Sequence, residues 1–401
     1  MAPRSKQYDV IVVGMGPAGA SAAYELSRAG LSVLGFDKQS HPRYKVCGGG
    51  LSARIERILP PEFKQIVEET VYHVQFTYGG DDSFFIESPQ PIAYMVMRSQ
   101  FDKWLLDRAR KAGTTVCEEE AVVEVVPLTD GIEVVTKEGS YQGRVVIGAD
   151  GAMSQVAHQL FPDRRLRKIP ALESETKSGQ LNYQGKADLA LISLSAAKKG
   201  YGWIFPKRNG LSIGVGEFVI GANRPKRSFQ QFSRQEPLLK DLRIPSPLGH
   251  PLPVFNGGRG VIGPKWNGGL VSHRAVLVGD AGHLVDPLLG EGIFYAVRSG
   301  QLAARNIVEF LRHSQGRLED YETAVRQEFG LEFRIASRLS RIIYGLPRSW
   351  HHWLGQTFPD SYQHVLHRYC QLLQGRETYQ TLWARILRRL KGPFATRVST
   401  Q

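Results

Sequence analysis

The residues best suited to chemistry lie in glycine-rich turns that follow short apolar strands. In the first turn, Gly14, Gly16 and Gly19 follow the strand-like segment Tyr8–Val13 and come directly before a predicted helix. At this spacing the first glycine makes a tight turn, the second admits a pyrophosphate to the backbone, and the third lets helix and strand pack closely. The free N–H groups of the helix N-terminus then bind the phosphates. Asp37, which ends the next strand, is placed to bind ribose hydroxyls. The sequence therefore predicts a dinucleotide-binding βαβ unit.

A glycine-rich loop comes next. Arg43 and Lys45 precede Cys47, Gly48 and Gly49 in it. Ordering successive glycines costs much backbone entropy, so a loop keeps them most readily where a ligand must come close to the backbone. The alternative is a flexible linker. The charges and the aromatic residue just before the glycines favour a loop that belongs to a binding site.

Two later apolar strands also end in an aspartate. Asp150 ends the first of them, and Asp280 ends the second. Gly290 and Gly292 follow Asp280 and come before a predicted helix over residues 292–311. A helix N-terminus at this point would stabilise negative charge that develops on a ring.

Aromatic residues alternate in the segment between these two turns. Tyr201, Trp203 and Phe205 would lie on one face of a strand, because side chains alternate across a strand. The core side of a sheet is the commoner use of such a pattern, and the wall of an apolar pocket is the functional alternative. Residues 160–265 lack helical periodicity over long windows and predict mainly strands.

The order and spacing of these motifs resemble the flavoprotein group of aromatic hydroxylases, flavin halogenases and geranylgeranyl reductases, over roughly residues 8–312. Within that group, residues 42–52 resemble the Cys-Gly-Gly loop that lies beside the flavin in geranylgeranyl reductases. Residues 201–206 resemble the aromatic motif that lines the prenyl channel of the same family, and Arg98 resembles its FAD-contacting arginine.

The resemblance implies an α/β fold in which a doubly wound FAD-binding domain is interleaved with an antiparallel-sheet substrate domain, followed by a helical C-terminal region. The expected FAD-binding domain comprises residues 1–70, 98–160 and 266–312, the substrate domain residues 71–97 and 161–265, and the helical region residues 313–401.

The resemblance also implies roles for individual residues. The expected cofactor-binding residues are Gly14, Gly16, Gly19, Asp37, Lys45, Cys47, Arg98, Asp280, Gly290 and Gly292. Cys47, Gly48 and Gly49 would lie close to the flavin ring as the catalytic loop, whereas Tyr201, Trp203 and Phe205 would line the prenyl channel. Basic groups suit a diphosphate or phospholipid headgroup, so Arg43, together with Lys45, is expected at the channel mouth. No metal site is expected.

The implied activity is flavin-dependent hydrogenation of C=C bonds in a geranylgeranyl chain on a lipid, a diphosphate or a related substrate. Such an alkene is electron-rich, so its reduction needs a proton as well as a hydride, and Cys47, an ordered water and the flavin itself are all candidate donors. NAD(P)H or a ferredoxin would supply the electrons. Two alternatives are a monooxygenase or halogenase acting on an aromatic or a quinone, and a prenyl-binding escort protein without activity.

Composition sets limits on the surroundings of the protein. The chain has 401 residues, 42% of them hydrophobic and 22% charged, which excludes global disorder. Its three cysteines argue for a reducing compartment. No apolar run approaches the ~18 residues of a membrane span, and residues 1–8 are too short and polar for a signal peptide. We therefore expect a cytoplasmic protein, or one that is peripheral to a membrane.

Charge suggests which partners the protein has. The net charge of +13 favours anionic partners. Because no nucleic-acid-binding motif is present, we expect acidic lipid or phosphate rather than nucleic acid. The segment 376–391 predicts a basic amphipathic helix, which either contacts a membrane surface or packs on the protein. Its apolar face consists of Tyr379, Trp383, Ile386, Leu387 and Leu390.

Overall fold

The computed structural model describes most of the chain as an interleaved α/β fold. The described residues are 7–78, 83–162, 164, 168–177, 188–218, 224–240, 242–255, 269–346, 348–385 and 388. The strands are β1 Gln7–Val13, β2 Val33–Phe36, β3 Gly50–Ser52, β4 Val67–Val71, β5 His73–Thr77, β6 Ser83–Glu87, β7 Ala93–Val96, β8 Thr115–Cys117, β9 Val122–Pro127, β10 Ile132–Thr136, β11 Ser140–Gly148, β12 Ile169–Thr176, β13 Leu189–Ser193, β14 Gly200–Lys207, β15 Gly210–Glu217, β16 Leu248–Leu252, β17 Val271–Ser272 and β18 Ala275–Leu277. The helices are α1 Pro17–Arg28, α2 Arg98–Lys111, α3 Gln155–Leu160, α4 Pro225–Gln235, α5 Ile293–Arg312, α6 Glu319–Ile343, α7 Arg348–Thr357 and α8 Pro359–Leu373.

The first sheet has a parallel centre. Its strand order is β17-β18-β11-β1-β2-β8, with the antiparallel pair β9 and β10 added beside β11. Strands β18, β11, β1, β2 and β8 run parallel to one another, whereas β17 and β10 are antiparallel to β18 and β11. Residues 10–13 of β1 are almost fully buried, as expected for a parallel strand that is covered on both faces. Helix α1 packs against α5 and α2.

The second sheet is mainly antiparallel, and its strand order is β16-β12-β15-β14-β13-β5-β6. One neighbouring pair, β5 and β13, runs parallel. A small third sheet has the strand order β3-β7-β4, and its strands lie within residues 50–96. The predicted fold class, with its interleaved sheets and helical C-terminal region, is therefore confirmed, whereas the exact domain boundaries stay a prediction.

One helix differs from the expectation of strands over residues 160–265. Helix α4 lies within that segment and buries Phe229 and Phe232 against the second sheet. It contains only 11 residues. Its two aromatic residues, three positions apart, mark too short an apolar stripe to stand out in a long window.

The C-terminal helices cover the second sheet. Residues 379–385 are helical, Tyr379 is buried, and Trp383 packs against the same apolar cluster. The described part of the predicted amphipathic helix thus packs on the protein, while Ile386, Leu387 and Leu390 lie outside the described residues. None of the helices in the described ranges is long and apolar enough to cross a membrane.

A buried ion-pair cluster fixes the start of α2. The fully buried carboxylate of Asp102 accepts hydrogen bonds from Arg98 Nε at 2.8 Å and Nη2 at 2.9 Å. Arg43 Nη2 lies 3.3 Å from the same carboxylate. Removing one member of a buried ion pair leaves its partner charged and unpaired.

We expect Asp102→Ala to lower the free energy of unfolding by about 3–5 kcal/mol, because two buried guanidinium groups lose their counter-ion. Asp107→Ala is the matched control, since Asp107 pairs with Lys103 on the same helix but is 40% exposed. An exposed pair of this kind contributes at most ~1 kcal/mol. Urea unfolding of both variants measures the difference, and equal losses would contradict the assignment.

Candidate functional site

A cavity of about 610 Å³ is lined by residues of both large sheets. Residues of the βαβ turn lie at one end, and aromatic residues of the second sheet lie at the other. The predicted residues that line it are Gly14, Gly16, Asp37, Arg43, Lys45, Cys47, Gly48, Gly49, Arg98, Tyr201, Trp203, Phe205, Asp280, Gly290 and Gly292. Gly19 lies behind the turn, where a Cβ would come within 1.9 Å of the Gly14 carbonyl oxygen. The structure thus brings together residues spread over most of the chain.

The βαβ end presents backbone N–H groups and a fixed carboxylate. The Met15 N–H donates to Asp37 Oδ2 at 3.0 Å, and the Gln39 N–H donates to Oδ1 at 3.1 Å. These bonds hold the Asp37 carboxylate at the cavity wall. Asp150 lies at the same end, but its Oδ2 accepts hydrogen bonds from the N–H groups of Gln155 and Val156. It therefore also serves to fix the start of α3.

Arg43 lies beside the turn and lines the cavity. A Cβ on Gly16 would be 3.5 Å from Arg43 Nη2, and Nη1 is buried without a hydrogen-bond partner. A buried, unpaired donor is costly, so a ligand that accepts from Arg43 would stabilise this arrangement. The ion pair with Asp102 holds the side chain in this position, and its expected role at a channel mouth stays a prediction.

The Cys47 loop is held by a lysine that the sequence analysis missed. Lys207 Nζ donates to the carbonyl oxygens of Gly48 at 2.9 Å and Val96 at 2.7 Å. Gly49 has φ +64°, and a Cβ there would be 2.2 Å from the Val96 oxygen, so only glycine fits. Burial lowers the pKa of Lys207 to about 8. Its position directly after Pro206, at the end of the aromatic motif, was the available signal.

A second basic group lines the cavity near Cys47. Lys45 Nζ lies 2.7 Å from His250 Nε2, which in turn lies 4.0 Å from Asp280 Oδ2. Burial lowers the pKa of Lys45 to about 8, and the nearby Arg98 charge contributes. Burial alone would raise the pKa of Asp280, but the His250 hydrogen bond and the Lys45 charge bring it below its usual value. Asp280 is therefore anionic at neutral pH.

The aromatic end of the cavity is formed by more residues than the three of the sequence motif. Tyr201 stacks on Phe218 at 5.2 Å between ring centroids, and Phe218 stacks on Tyr344 at 5.3 Å. The three aromatic residues of the motif are at least partly buried and also line the cavity. Tyr201, Trp203 and Phe205 therefore belong both to the apolar core and to the cavity wall. The cavity wall here also includes Val71, Val74, Ile92, Ile192, Phe218, Tyr369 and Leu373.

The start of α5 lies at the cavity, as the glycine pattern predicted. Gly290 and Gly292 line it just before the first helical residue, Ile293. The Tyr201 hydroxyl donates to the carbonyl oxygen of Leu289, which connects the aromatic strand to this turn. The N–H groups of the helix start can therefore face a ligand that lies between the turn and the aromatic residues.

Comparisons with known proteins agree with this geometry. The FAD binding domain family matches residues 7–212. A geranylgeranyl diphosphate reductase of Rhodobacter capsulatus is 31% identical over 349 residues, which is 82% of each chain. A geranylgeranyl bacteriochlorophyll reductase-like protein of Thermoplasma acidophilum has a similar structure, with a TM-score of 0.71 at 23% identity over 86% of this chain and 89% of that one. A flavin-dependent brominase also shares the fold, with a TM-score of 0.67 at 20% identity over 92% and 94% of the two chains.

The residues of the cavity fit FAD. The Arg43 guanidinium beside Gly16, whose Nη1 has no hydrogen-bond partner, suits a pyrophosphate. The Asp37 carboxylate suits a ribose, and the Cys47 loop exposes backbone that suits a ring. The family match covers more than half of the chain, and the Rhodobacter relative exceeds 30% identity over most of its length. The chain therefore belongs to the geranylgeranyl reductase family and is an FAD-dependent oxidoreductase.

Proposed function

We propose that this protein hydrogenates C=C bonds of a geranylgeranyl chain that is carried on a diphosphate or a lipid. The observation that carries the proposal is the continuity between the dinucleotide-binding end of the cavity and its apolar end. Gly48 lies between them, and a Cβ there would be 2.9 Å from Trp203 Nε1. An apolar chain in this channel would therefore lie next to the Cys47 loop.

The apolar wall matches the chemistry of an isolated alkene. Protonation of a trisubstituted alkene gives tertiary cation character, which water would trap. Aromatic and aliphatic side chains line this part of the channel and offer water few hydrogen-bond partners, and the faces of Tyr201 and Trp203 can stabilise positive charge. When bound and reduced, FAD supplies the hydride that completes the reduction. The protein positions the alkene in an apolar channel.

Several finer features of the function remain predictions. The electron donor is either NAD(P)H or a ferredoxin. A cytoplasmic location, with peripheral membrane contact through the segment 376–391, rests on charge and sequence pattern. For Arg43 we now propose a role at the FAD pyrophosphate in place of a substrate headgroup, because of its position beside Gly16.

Anaerobic incubation of the dithionite-reduced protein with geranylgeranyl diphosphate, and separately with a geranylgeranylated lipid, tests the function. Mass spectrometry should detect products heavier by successive pairs of hydrogen atoms. Heat-denatured holoprotein with dithionite is the control for reduction in solution. No mass gain, with flavin bound and reduced, would contradict the proposal. That result would favour a monooxygenase or halogenase. A protein that cannot take up FAD would instead favour a prenyl-binding escort.

Substitution of a residue in the channel wall should alter the response to chain length. We expect Leu373→Trp to impair reduction of geranylgeranyl diphosphate more than that of the shorter geranyl diphosphate, because the new side chain fills apolar space in the cavity. Val365→Trp on the exposed side of the same helix is the control. Competition between the two substrates, followed by mass spectrometry, measures the preference. An equal effect on both would argue against a chain-binding role for α8.

Removal of the Arg43 charge should weaken FAD binding. A hydrogen bond to a charged group contributes about 1.5–3 kcal/mol, so we expect Arg43→Gln to raise the Kd for FAD by roughly ten- to a hundredfold. Titration of the apoprotein by flavin fluorescence measures this change, with the exposed Arg28→Gln as control. Unchanged FAD affinity, combined with a selective loss of headgroup-bearing substrates, would restore the channel-mouth prediction.

A further inference from the structure

A buried carboxyl group that the sequence analysis did not single out forms part of the cavity wall. Glu173 lies on β12, is 2% exposed and lines the cavity. The Tyr44 hydroxyl donates to its Oε2 at 2.8 Å, and the Ser212 hydroxyl donates to its Oε1 at 3.1 Å. The Tyr44 and Ser212 hydroxyls, which are the hydrogen-bond donors to Glu173 among the described residues, carry no charge. A buried carboxyl held by neutral groups alone can carry a proton.

The other carboxyl groups on the aromatic side of the cavity have cationic or imidazole partners. Asp280 faces Lys45 and His250, the latter on strand β16 beside β12. Glu291 forms an ion pair with Arg54 and accepts a hydrogen bond from Ser52. The His250 hydrogen bond and the Lys45 charge hold the pKa of Asp280 below its usual value, which makes Asp280 a poor proton donor. Asp37, Glu120 and Asp150 lie at the dinucleotide-binding end, away from the apolar channel.

The groups around Glu173 raise its pKa well above that of a free carboxyl group. Burial is the main cause that raises its pKa to about 7, and the neighbouring Glu175 carboxylate adds to the effect. The hydrogen bonds from Tyr44 and Ser212, and the charge of Lys207, act in the opposite direction. These groups come from the Cys47 loop and from strands β12, β14 and β15. The charged or titratable group that the adjacent strand β16 contributes is His250, which faces Asp280. A group with this pKa can both give and regain a proton under cellular conditions.

Hydrogen bonds connect Glu173 to Tyr44 on one side and, through Ser212, to Trp203 of the cavity wall on the other. Tyr44 is 47% exposed, so Glu173 lies one hydrogen bond away from a side chain that is in contact with solvent. On the inner side, Trp203 Nε1 donates to Ser212 Oγ at 3.3 Å, and Trp203 lies against Gly48. Glu173 therefore lies between the surface and the part of the channel where an alkene would react.

We propose that Glu173 is the general acid that protonates the alkene, and that Tyr44 returns a proton to it from water. The inference rests on the proposed function, because it assigns the proton donor of that reaction. The Glu173 O–H bond breaks as the π electron pair of the alkene forms a C–H bond at one carbon. The other alkene carbon gains the hydride of reduced flavin, so the alkene is reduced and the flavin oxidised. The Tyr44 hydroxyl then gives its proton to the carboxylate and takes one from water.

The first test compares two carboxyl variants on one strand. Glu173→Gln keeps the size of the side chain and one carbonyl acceptor, so one of the two hydroxyls can still donate to it while the other must accept from the amide. The amide cannot act as an acid at neutral pH. In anaerobic stopped-flow mixing of pre-reduced protein with geranylgeranyl diphosphate, we expect flavin reoxidation to slow by about 10²–10⁴-fold. Glu175→Gln, two residues along β12, keeps the acid and should stay close to the wild-type rate, with its pH profile displaced to lower pH, because removal of the Glu175 charge lowers the pKa of Glu173. Flavin reduction by dithionite should be unchanged in both variants.

The pH dependence and the infrared spectrum provide independent measurements. The wild-type reoxidation rate should fall as pH rises through about 7, since the acid must be protonated, and Glu173→Gln should lose that dependence. The apoprotein should show a carbonyl band of a protonated carboxyl group that disappears as pH rises through about 7 and is missing in Glu173→Gln. The buried Asp286, whose pKa burial raises to about 6, contributes a separate band that both proteins share. Glu175→Gln should retain the Glu173 band. This measurement needs neither substrate nor cofactor.

Tyr44→Phe tests the return path without removing the carboxyl group. We expect the first turnover to stay close to the wild-type rate and later turnovers to slow, because reprotonation of Glu173 loses its hydroxyl link. A wild-type rate and pH profile in folded Glu173→Gln would overturn the donor role. Presence of the infrared band without any reduction of prenyl substrates by the wild type would instead overturn the proposed function, and the donor role with it.

Discussion

A buried ammonium group sets the geometry on which the site depends. Lys207, at the end of β14, donates to the carbonyl oxygens of Gly48 and Val96. Because an ammonium group inside the protein is costly unless it is hydrogen-bonded, Lys207 is strongly held on these two oxygens. This one side chain therefore fixes the Cys47 loop against the aromatic strand. It also joins the second sheet to β7 of the small third sheet, which packs beside the cavity.

The same loop is anchored at its beginning by a second buried charge cluster. Asp102 binds Arg98 on its own helix and Arg43 on the loop, so the loop is tied to the FAD-binding half as well. Cys47 lies between the two anchors. A loop with charge-assisted bonds at both ends can keep its glycines ordered beside a ligand, although glycine is the residue that loses most freedom on folding. Such support is what a preorganised site requires.

The cavity separates two kinds of chemistry along its length. Its dinucleotide-binding end offers backbone N–H groups, a guanidinium and carboxylates, whereas its other end is lined by aromatic and aliphatic side chains. The fold alone does not decide the substrate, since a brominase shares it. What favours an isoprenoid chain is the apolar end, to which the C-terminal helix α8 contributes Tyr369 and Leu373. A buried acid on this side, Glu173, adds the proton that such a substrate would need.

The sequence by itself determined the features that depend on neighbouring residues. The glycine turn, its flanking strand and helix, and the aspartate that ends the next strand all lie in the one short stretch from Gln7 to Asp37. Short-range backbone sterics and apolar periodicity are sufficient to predict such a unit. The same holds for the alternation of Tyr201, Trp203 and Phe205 on one strand.

Only the tertiary structure decided which distant side chains meet. Tyr44 and Glu173 are 129 residues apart, and nothing local to either predicts their hydrogen bond. Arg43 was expected at the channel mouth, but its position depends on Asp102, a partner on a separate helix. Phe218 and Tyr369 join the cavity wall because of how strands and helices pack, which one-dimensional patterns do not encode. Contacts of this range are set by the packing of whole elements, so they become visible only once the chain is folded.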